Sequence, residues 1–180
     1  MIAGLLRSAL AWTALGACIA LAGCIDGSPD RTKHYGRAPE LAGIEGWLNS
    51  PPLTIAGLRG KVVLVEFWTN ACINCRRVLP HTVEWSQRYR AQGLVVIGVH
   101  TPETDAEMRP EALQRAIRDF GIAFPVALDN RYATWDAYGT MAWPTLYLID
   151  RNGVIVRKHI GEGGYPQTEA AIRKALEERP

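Results

Sequence analysis

Three short apolar runs stand out along the chain: Val62 to Phe67, Leu94 to Val99 and Thr145 to Ile149. They are rich in β-branched and aromatic residues and are bounded by glycine, proline or polar positions, the pattern of strands buried on both faces. Between the first two, Val78, Val83, Trp85 and Tyr89 have helical spacing and predict a helix from Cys72 to about Ala91. Pro80 interrupts it and should kink it, because proline has no N–H to bond; Gly93 ends it. Leu113, Ala116, Ile117 and Phe120 form one stripe of a second helix, Glu111 to Phe120, stopped by Gly121. Phe124 to Leu128 predicts a short strand, and Tyr132 to Tyr138 a short helix closed by Gly139. Arg151-Asn152-Gly153 is a hairpin turn, from which Val154 to Ile160 returns. Thr168 to Glu178 reads as a last amphipathic helix. Ahead of the first run, Ala38 to Pro52 predicts an irregular lead-in with at most one turn of helix, Leu53-Thr54-Ile55 an edge strand, and Leu58 to Lys61 a turn.

The order strand, helix, strand implies a parallel pair with a right-handed crossover. The later hairpin adds antiparallel strands. The expected fold class is therefore α/β, a mixed central sheet flanked by helices. Glu66 breaks the apolar pattern of the first strand. It is either a solvated edge residue or a buried acid, and a buried carboxylate is costly unless paired or protonated.

Composition narrows the class. The chain has 180 residues, is 48% hydrophobic and carries a formal net charge of +2 with scattered basic residues. That suits one domain and offers no electrostatic footprint for nucleic acid. The first 23 residues read as a signal segment outside the fold: Arg7 is their only charge, and the apolar run from Ala9 to Ala22 has the length of a signal h-region. The run ends in Leu21-Ala22-Gly23-Cys24, which resembles a bacterial lipobox, where cleavage precedes a cysteine that is then lipidated. An ordinary signal or anchor with an incidental cysteine is the alternative. On the lipoprotein reading, residues 1–23 are the signal peptide, 24–39 a tether and 40–180 the domain. Cys18 is then discarded and Cys24 acylated, so Cys72 and Cys75 are the remaining thiols in an oxidising, periplasmic compartment of the cell envelope.

Those two cysteines carry the chemistry. Cys72 falls at the first turn of the predicted helix, where free N–H groups and the helix dipole favour an anion, and the thiolate is the form that attacks a disulfide. Cys75 follows one turn later, so the pair reads as a redox dithiol. Structural zinc usually needs four ligands, and no second tight pair accompanies this one, so no metal is expected. Glu66, six residues before Cys72, is placed to take a proton from Cys75. Arg76 and Arg77 are either tuning charges or two solvated arginines. His100 falls at the dithiol end of its strand, as a tuning group or a strand cap. Trp68 and Trp143 are the tryptophans expected beside the cysteines. Topology brings Pro144 and the loop Gly161-Glu162-Gly163 to the same end, so that loop is a candidate groove wall, with Glu162 either taking part or simply exposed; no helix is expected to begin within it, and it lacks a phosphate-binding Gly-x-Gly-x-x-Gly.

Val65-Glu66-Phe67-Trp68, the Cys72-x-x-Cys75 pair, Pro80 and Trp143-Pro144-Thr145 together resemble the thioredoxin superfamily, and the helix and strand between Thr101 and Leu128 resemble the insertion of its TlpA-type, membrane-tethered branch. Cys72-Ile73-Asn74-Cys75, Gly98-Val99-His100-Thr101-Pro102-Glu103, Phe124 to Asn130 and Gly161 to Tyr165 are similar to the thioredoxin-like domain of DipZ-type proteins. The resemblance, over about residues 40 to 178, implies a thioredoxin-like fold and a thiol–disulfide oxidoreductase. Catalysis would rest on Cys72, Cys75 and Glu66, and the substrate groove on Trp68, Trp143, a cis Pro144, Gly161 and Glu162. Asn74, Arg76 and His100 are candidate tuning residues. Asn74 belongs to an Ile73-Asn74 pair that replaces the Gly-Pro of general thioredoxins, and Trp143 is a bulky neighbour for the cis-proline. The implied activity is reduction of protein disulfides by a monomer, with electrons from a membrane electron-transfer partner and no cofactor beyond the Cys72–Cys75 disulfide. Two rivals stand beside it: a copper-handling protein of similar fold, which the two-residue cysteine spacing disfavours, and a thiol peroxidase, for which Thr69 stands three residues before Cys72.

Overall fold

The structure, a computed structural model, describes residues 35–178. The expected signal segment, the lipidation cysteine Cys24 and most of the expected tether lie outside the described residues. Within the rest of that tether, Ala38 N–H donates to Gly153 O at 2.9 Å and Ile155 N–H to Gly36 O at 3.0 Å. Contacts with the domain thus begin ahead of residue 40.

Six strands form one mixed sheet: β1 (Gly46–Leu48), β2 (Val62–Trp68), β3 (Leu94–His100), β4 (Val126–Leu128), β5 (Thr145–Ile149) and β6 (Ile155–Ile160). Their spatial order is β1-β4-β3-β2-β5-β6. β2, β3 and β4 run parallel, and β1, β5 and β6 pair antiparallel to their neighbours. Four helices complete the unit: α1 (Ile73–Tyr89), α2 (Pro110–Asp119), α3 (Ala133–Ala137) and α4 (Tyr165–Glu177).

Strand alternation divides the core in two. Val62, Leu64 and Trp68 of β2 face Val78, Leu79 and Trp85 of α1 and Ile172 of α4. Val63, Val65 and Phe67 face the other way, onto Trp135, Tyr138 and Tyr147. Phe67 meets the rings of Trp135 and Tyr147 edge-on at 5.9 and 5.7 Å. Gly93 closes the turn after α1 with φ +101°, in the left-handed region that glycine enters without a Cβ clash.

The expectations differ from the structure at both ends of the chain. The edge strand is Gly46–Leu48, inside the supposed irregular lead-in, whereas Leu53–Ile55 is not a strand. There the Glu40 carboxylate accepts Ile55 N–H and Ala56 N–H, both at 2.8 Å, and those donors leave the sheet for a side-chain partner. The last helix starts at Tyr165, straight out of the glycine loop, with Pro166 in its first turn, a position proline favours because its missing N–H would have no helical partner.

Candidate active site

β2 delivers the site. Its last residue, Trp68, pairs in register with His100 of β3, and both parallel strands end at the same edge. The loop Thr69–Ala71 follows, and Cys72 is the N-cap of α1. Its Sγ accepts Cys75 N–H at 3.3 Å, and its carbonyl accepts Arg76 N–H at 3.1 Å. A sulfur thus takes the position of a helix-capping oxygen, where unpaired N–H groups of the first turn converge. The two cysteines are free thiols of unequal exposure: Cys72 is half-buried and Cys75 is 0% exposed. Burial pushes the Cys75 thiol well up from its ordinary value, and the neighbouring Cys72 and the negative charge of Glu66 push the same way. One cysteine is open to an incoming disulfide; the other keeps its proton until something takes it.

Glu66 lies on the α1 face of β2, in step with Leu64 and Trp68, and is 0% exposed. Both carboxylate oxygens lack a hydrogen-bond partner, as does the Thr82 hydroxyl on α1. Thr82 stands near enough to temper the acid without hydrogen-bond geometry to it, so burial dominates and raises Glu66 to about 7. Of the two sequence alternatives, the buried acid is the one observed.

The second wall comes from β5 and β6. The Trp143–Pro144 bond is cis and Pro144 is buried. Gly161 N–H donates to Pro144 O at 2.8 Å, bringing the glycine loop beside the cis-proline. Trp143 is half-buried: its ring lies against Trp135, tilted by 34° with centroids 4.2 Å apart, and Nε1 donates to Thr101 O at 3.0 Å. Glu162 reaches α1, where both oxygens accept from Arg77 Nη1, at 3.2 and 3.1 Å. Three side chains on segments that reach this end of the sheet are exposed: Ile73, next to Cys72, at 58%, Met141, ahead of the cis-proline, at 81%, and Ile160, paired with Thr145, at 50%.

Three expected residues sit differently. Trp68 is not a groove residue: it is 0% exposed, packed in the α1-side core with Cys75 and edge-on to His100 at 5.3 Å. Arg76 turns away to cover the Phe120 ring at 5.6 Å. His100 is 1% exposed, its Nε2 3.1 Å from Asn70 Oδ1 and its Nδ1 unpartnered. Burial lowers it to about 4 against a smaller upward pull from Glu107, so it is neutral at ordinary pH and supplies no charge to the thiols. Asn74 is half-buried between the cysteines.

Two buried acids were not anticipated. Asp129 accepts Thr134 N–H and Trp135 N–H at 3.0 and 2.8 Å and the Thr101 hydroxyl at 3.3 Å, which seats α3 beneath Trp143. Glu107 accepts the Thr69 hydroxyl and Ala71 N–H, the latter at 3.0 Å. Thr104-x-x-Glu107 is a capping-box spacing visible in the sequence, but its reach to Ala71, 36 positions away, is not. Among the described residues no group of three or more His, Cys, Asp or Glu side chains is arranged to hold a metal ion.

These features define a thioredoxin-like fold with a dithiol at the start of its longest helix. A crystal structure of a thioredoxin-like superfamily protein matches with a TM-score of 0.74 and 31% identity, covering 81% of this chain and 99% of that one. The chain belongs to the AhpC/TSA family, whose model matches residues 44–158. Protein DipZ of Mycobacterium tuberculosis is 47% identical over 159 residues, 87% of this chain but 23% of DipZ. The chain thus spans about a quarter of that relative's length. Thiol-disulfide oxidoreductase ResA of Bacillus anthracis is 31% identical over 127 residues, 71% of this chain and 70% of ResA.

Proposed function

We propose that this protein is a thiol–disulfide oxidoreductase that reduces disulfides of protein substrates. The observation that carries the proposal is the unequal exposure of the two cysteines above a buried acid. The Cys72 thiolate attacks a substrate disulfide; one Cys72–substrate bond forms and one substrate sulfur leaves as thiolate. Cys75 then loses its proton to the Glu66 carboxylate and attacks Cys72 Sγ. The second substrate sulfur leaves, and the chain is left with a Cys72–Cys75 disulfide, having given two electrons. An acid poised near 7 is partly ionised at neutral pH, so it can take that proton and return it. The exposed apolar side chains of Ile73, Met141 and Ile160 suit a protein surface better than a small thiol such as glutathione. The groove would run along the backbone of Trp143 and the cis Pro144, with Gly161 and Glu162 as its far wall.

The resemblance to membrane-tethered reducing proteins, together with 47% identity to DipZ, supports the rest of the reading. The signal segment 1–23 is removed, Cys24 carries lipid, and the residues between Cys24 and the docked stretch at Gly36 tether a monomeric domain on the periplasmic side of the cell envelope. A membrane electron-transfer partner returns the electrons, with no cofactor other than the disulfide itself.

A Cys75→Ser variant tests the order of events. Offered a disulfide-bonded protein substrate, it should accumulate a covalent adduct at Cys72 that dithiothreitol releases, while Cys72→Ser should form none. An adduct on Cys72→Ser but not on Cys75→Ser would reverse the assignment.

A further inference from the structure

The three residues that carry the chain from β2 to Cys72 do not hold themselves. Asn70 Oδ1 faces His100 Nε2 at 3.1 Å, and its two neighbours are held by Glu107: the Thr69 hydroxyl and Ala71 N–H both donate to Glu107 Oε1. The other oxygen, Oε2, accepts Glu103 N–H at 2.8 Å, Thr104 N–H at 3.0 Å and the Thr104 hydroxyl at 3.3 Å. An ionised carboxylate has about four lone-pair sites; here five donors converge on one that is 4% exposed. Among the described residues no cation pairs with it. Burial alone would raise its pKa, but the bonds from Thr69, Ala71, Glu103 and Thr104 together outweigh burial and hold it below the ordinary carboxylate value, so the charge stays.

One oxygen serves the segment after β3, which only needs a cap. The other reaches across to the dithiol loop and puts a fixed negative charge against the residue next to Cys72. A fixed carboxylate there repels negative charge brought into the dithiol loop. Such charge belongs to the reduced form of the pair, so whatever opposes it favours the disulfide and makes the dithiol a better electron donor.

We infer that Glu107 is a positioning residue for the dithiol: through Thr69 and Ala71 it fixes the loop ahead of Cys72, and with its charge it holds the Cys72–Cys75 couple towards the reducing side. This rests on the dithiol reading of the proposed function. The same arrangement commits the Thr69 hydroxyl proton to Glu107.

The test is the equilibrium of the full-length chain with glutathione, followed by mass spectrometry of the alkylated peptide that holds both cysteines. Glu107→Gln has one acceptor oxygen and no charge, and cannot serve both segments. It should shift the couple towards the dithiol by at least about threefold. Thr104→Ala loses a bond on the cap side only and should keep the wild-type equilibrium. A shift of less than about threefold in Glu107→Gln, or an equal shift in Thr104→Ala, overturns the inference and leaves Glu107 as the cap of one turn. If Glu107→Gln lacks the near-ultraviolet dichroism of the wild type, Thr69→Val carries the test. It loses one tie while the cap bonds remain, and an equilibrium moved by less than about twofold then overturns the inference. A wild-type chain that never forms the Cys72–Cys75 disulfide would instead sink the dithiol reading, and the inference with it.

Discussion

Replacing Glu66 by glutamine isolates the acid on which the proposed proton transfer depends. Glu66 is wholly buried, without a hydrogen-bond partner, and raised by burial to about 7 from an ordinary value of 4.5. The folded chain therefore holds this proton more tightly than the unfolded chain. The stability it confers is fully present below about 4.5 and is lost as the pH rises through about 7. The gap between the two values corresponds to about 3 kcal/mol, as an order of magnitude. Glutamine has nearly the same shape and no charge to bury. Urea unfolding of the two dithiol proteins from pH 4 to pH 9 should give curves within about 1 kcal/mol at the acid end. The variant should become the more stable by up to about 3 kcal/mol above pH 8. The difference between variant and wild type is the quantity to follow, because His100 titrates in the opposite sense. A difference that stays flat from pH 5 to pH 8 would falsify the buried-acid argument. In the same variant, resolution of a preformed Cys72 mixed disulfide by Cys75 should slow by about 10²-fold, the scale of a lost general base.

Burial that lowers His100 to about 4 from 6.5 costs the folded state stability as the pH falls through that window; His100→Gln should abolish about 3 kcal/mol of acid sensitivity in urea unfolding. Gly98→Ala would set a Cβ 2.8 Å from Trp68 Nε1 and 3.0 Å from Phe124 Cε2. Both rings are buried, so unfolding free energy should fall by about 1–3 kcal/mol. Glu162→Gln breaks an ion pair whose side chains are 58% and 40% exposed, and stability should change by less than about 1 kcal/mol. A larger loss would show that the glycine loop depends on Arg77. Trp143→Ala removes the ring contact with Trp135 and the bond to Thr101 O; a destabilisation of about 2–4 kcal/mol, read by urea unfolding, is expected for a half-buried indole.

The elements that could be anticipated are those whose residues report their own environment. β2, β3 and β5 are continuous apolar runs, and Asn152-Gly153 marks its hairpin; Asp150 Oδ1 tightens that turn by accepting Asn152 N–H and Val154 N–H at 2.9 and 2.8 Å. β1 escaped because three half-buried residues, Gly46-Trp47-Leu48, are too short to show a period, and its existence depends on β4 lying opposite. α4 was placed three residues late because Pro166 reads as a breaker when it is an initiator. At the site, the dithiol followed from the cysteine spacing, the cis-proline was what the family resemblance implied, and strand alternation left Glu66 open between an edge residue and a buried acid until packing decided it. The groove role for Trp68 came from the same resemblance, whereas alternation puts it on the Glu66 face and packing under α1 buries it there. Arg76 and Glu107 depend on partners far along the chain, Phe120 and Ala71, and only tertiary structure brings those together.

The most direct measurement is the redox equilibrium of Cys72 and Cys75 against glutathione or dithiothreitol, with the disulfide identified by mass spectrometry. A reversible intramolecular disulfide with a potential near that of thioredoxin, about −270 mV, is the predicted result for a reductase. A potential near about −120 mV would make the protein an oxidant and contradict the proposed direction. If no Cys72–Cys75 disulfide formed under any poise, the redox dithiol itself would be refuted.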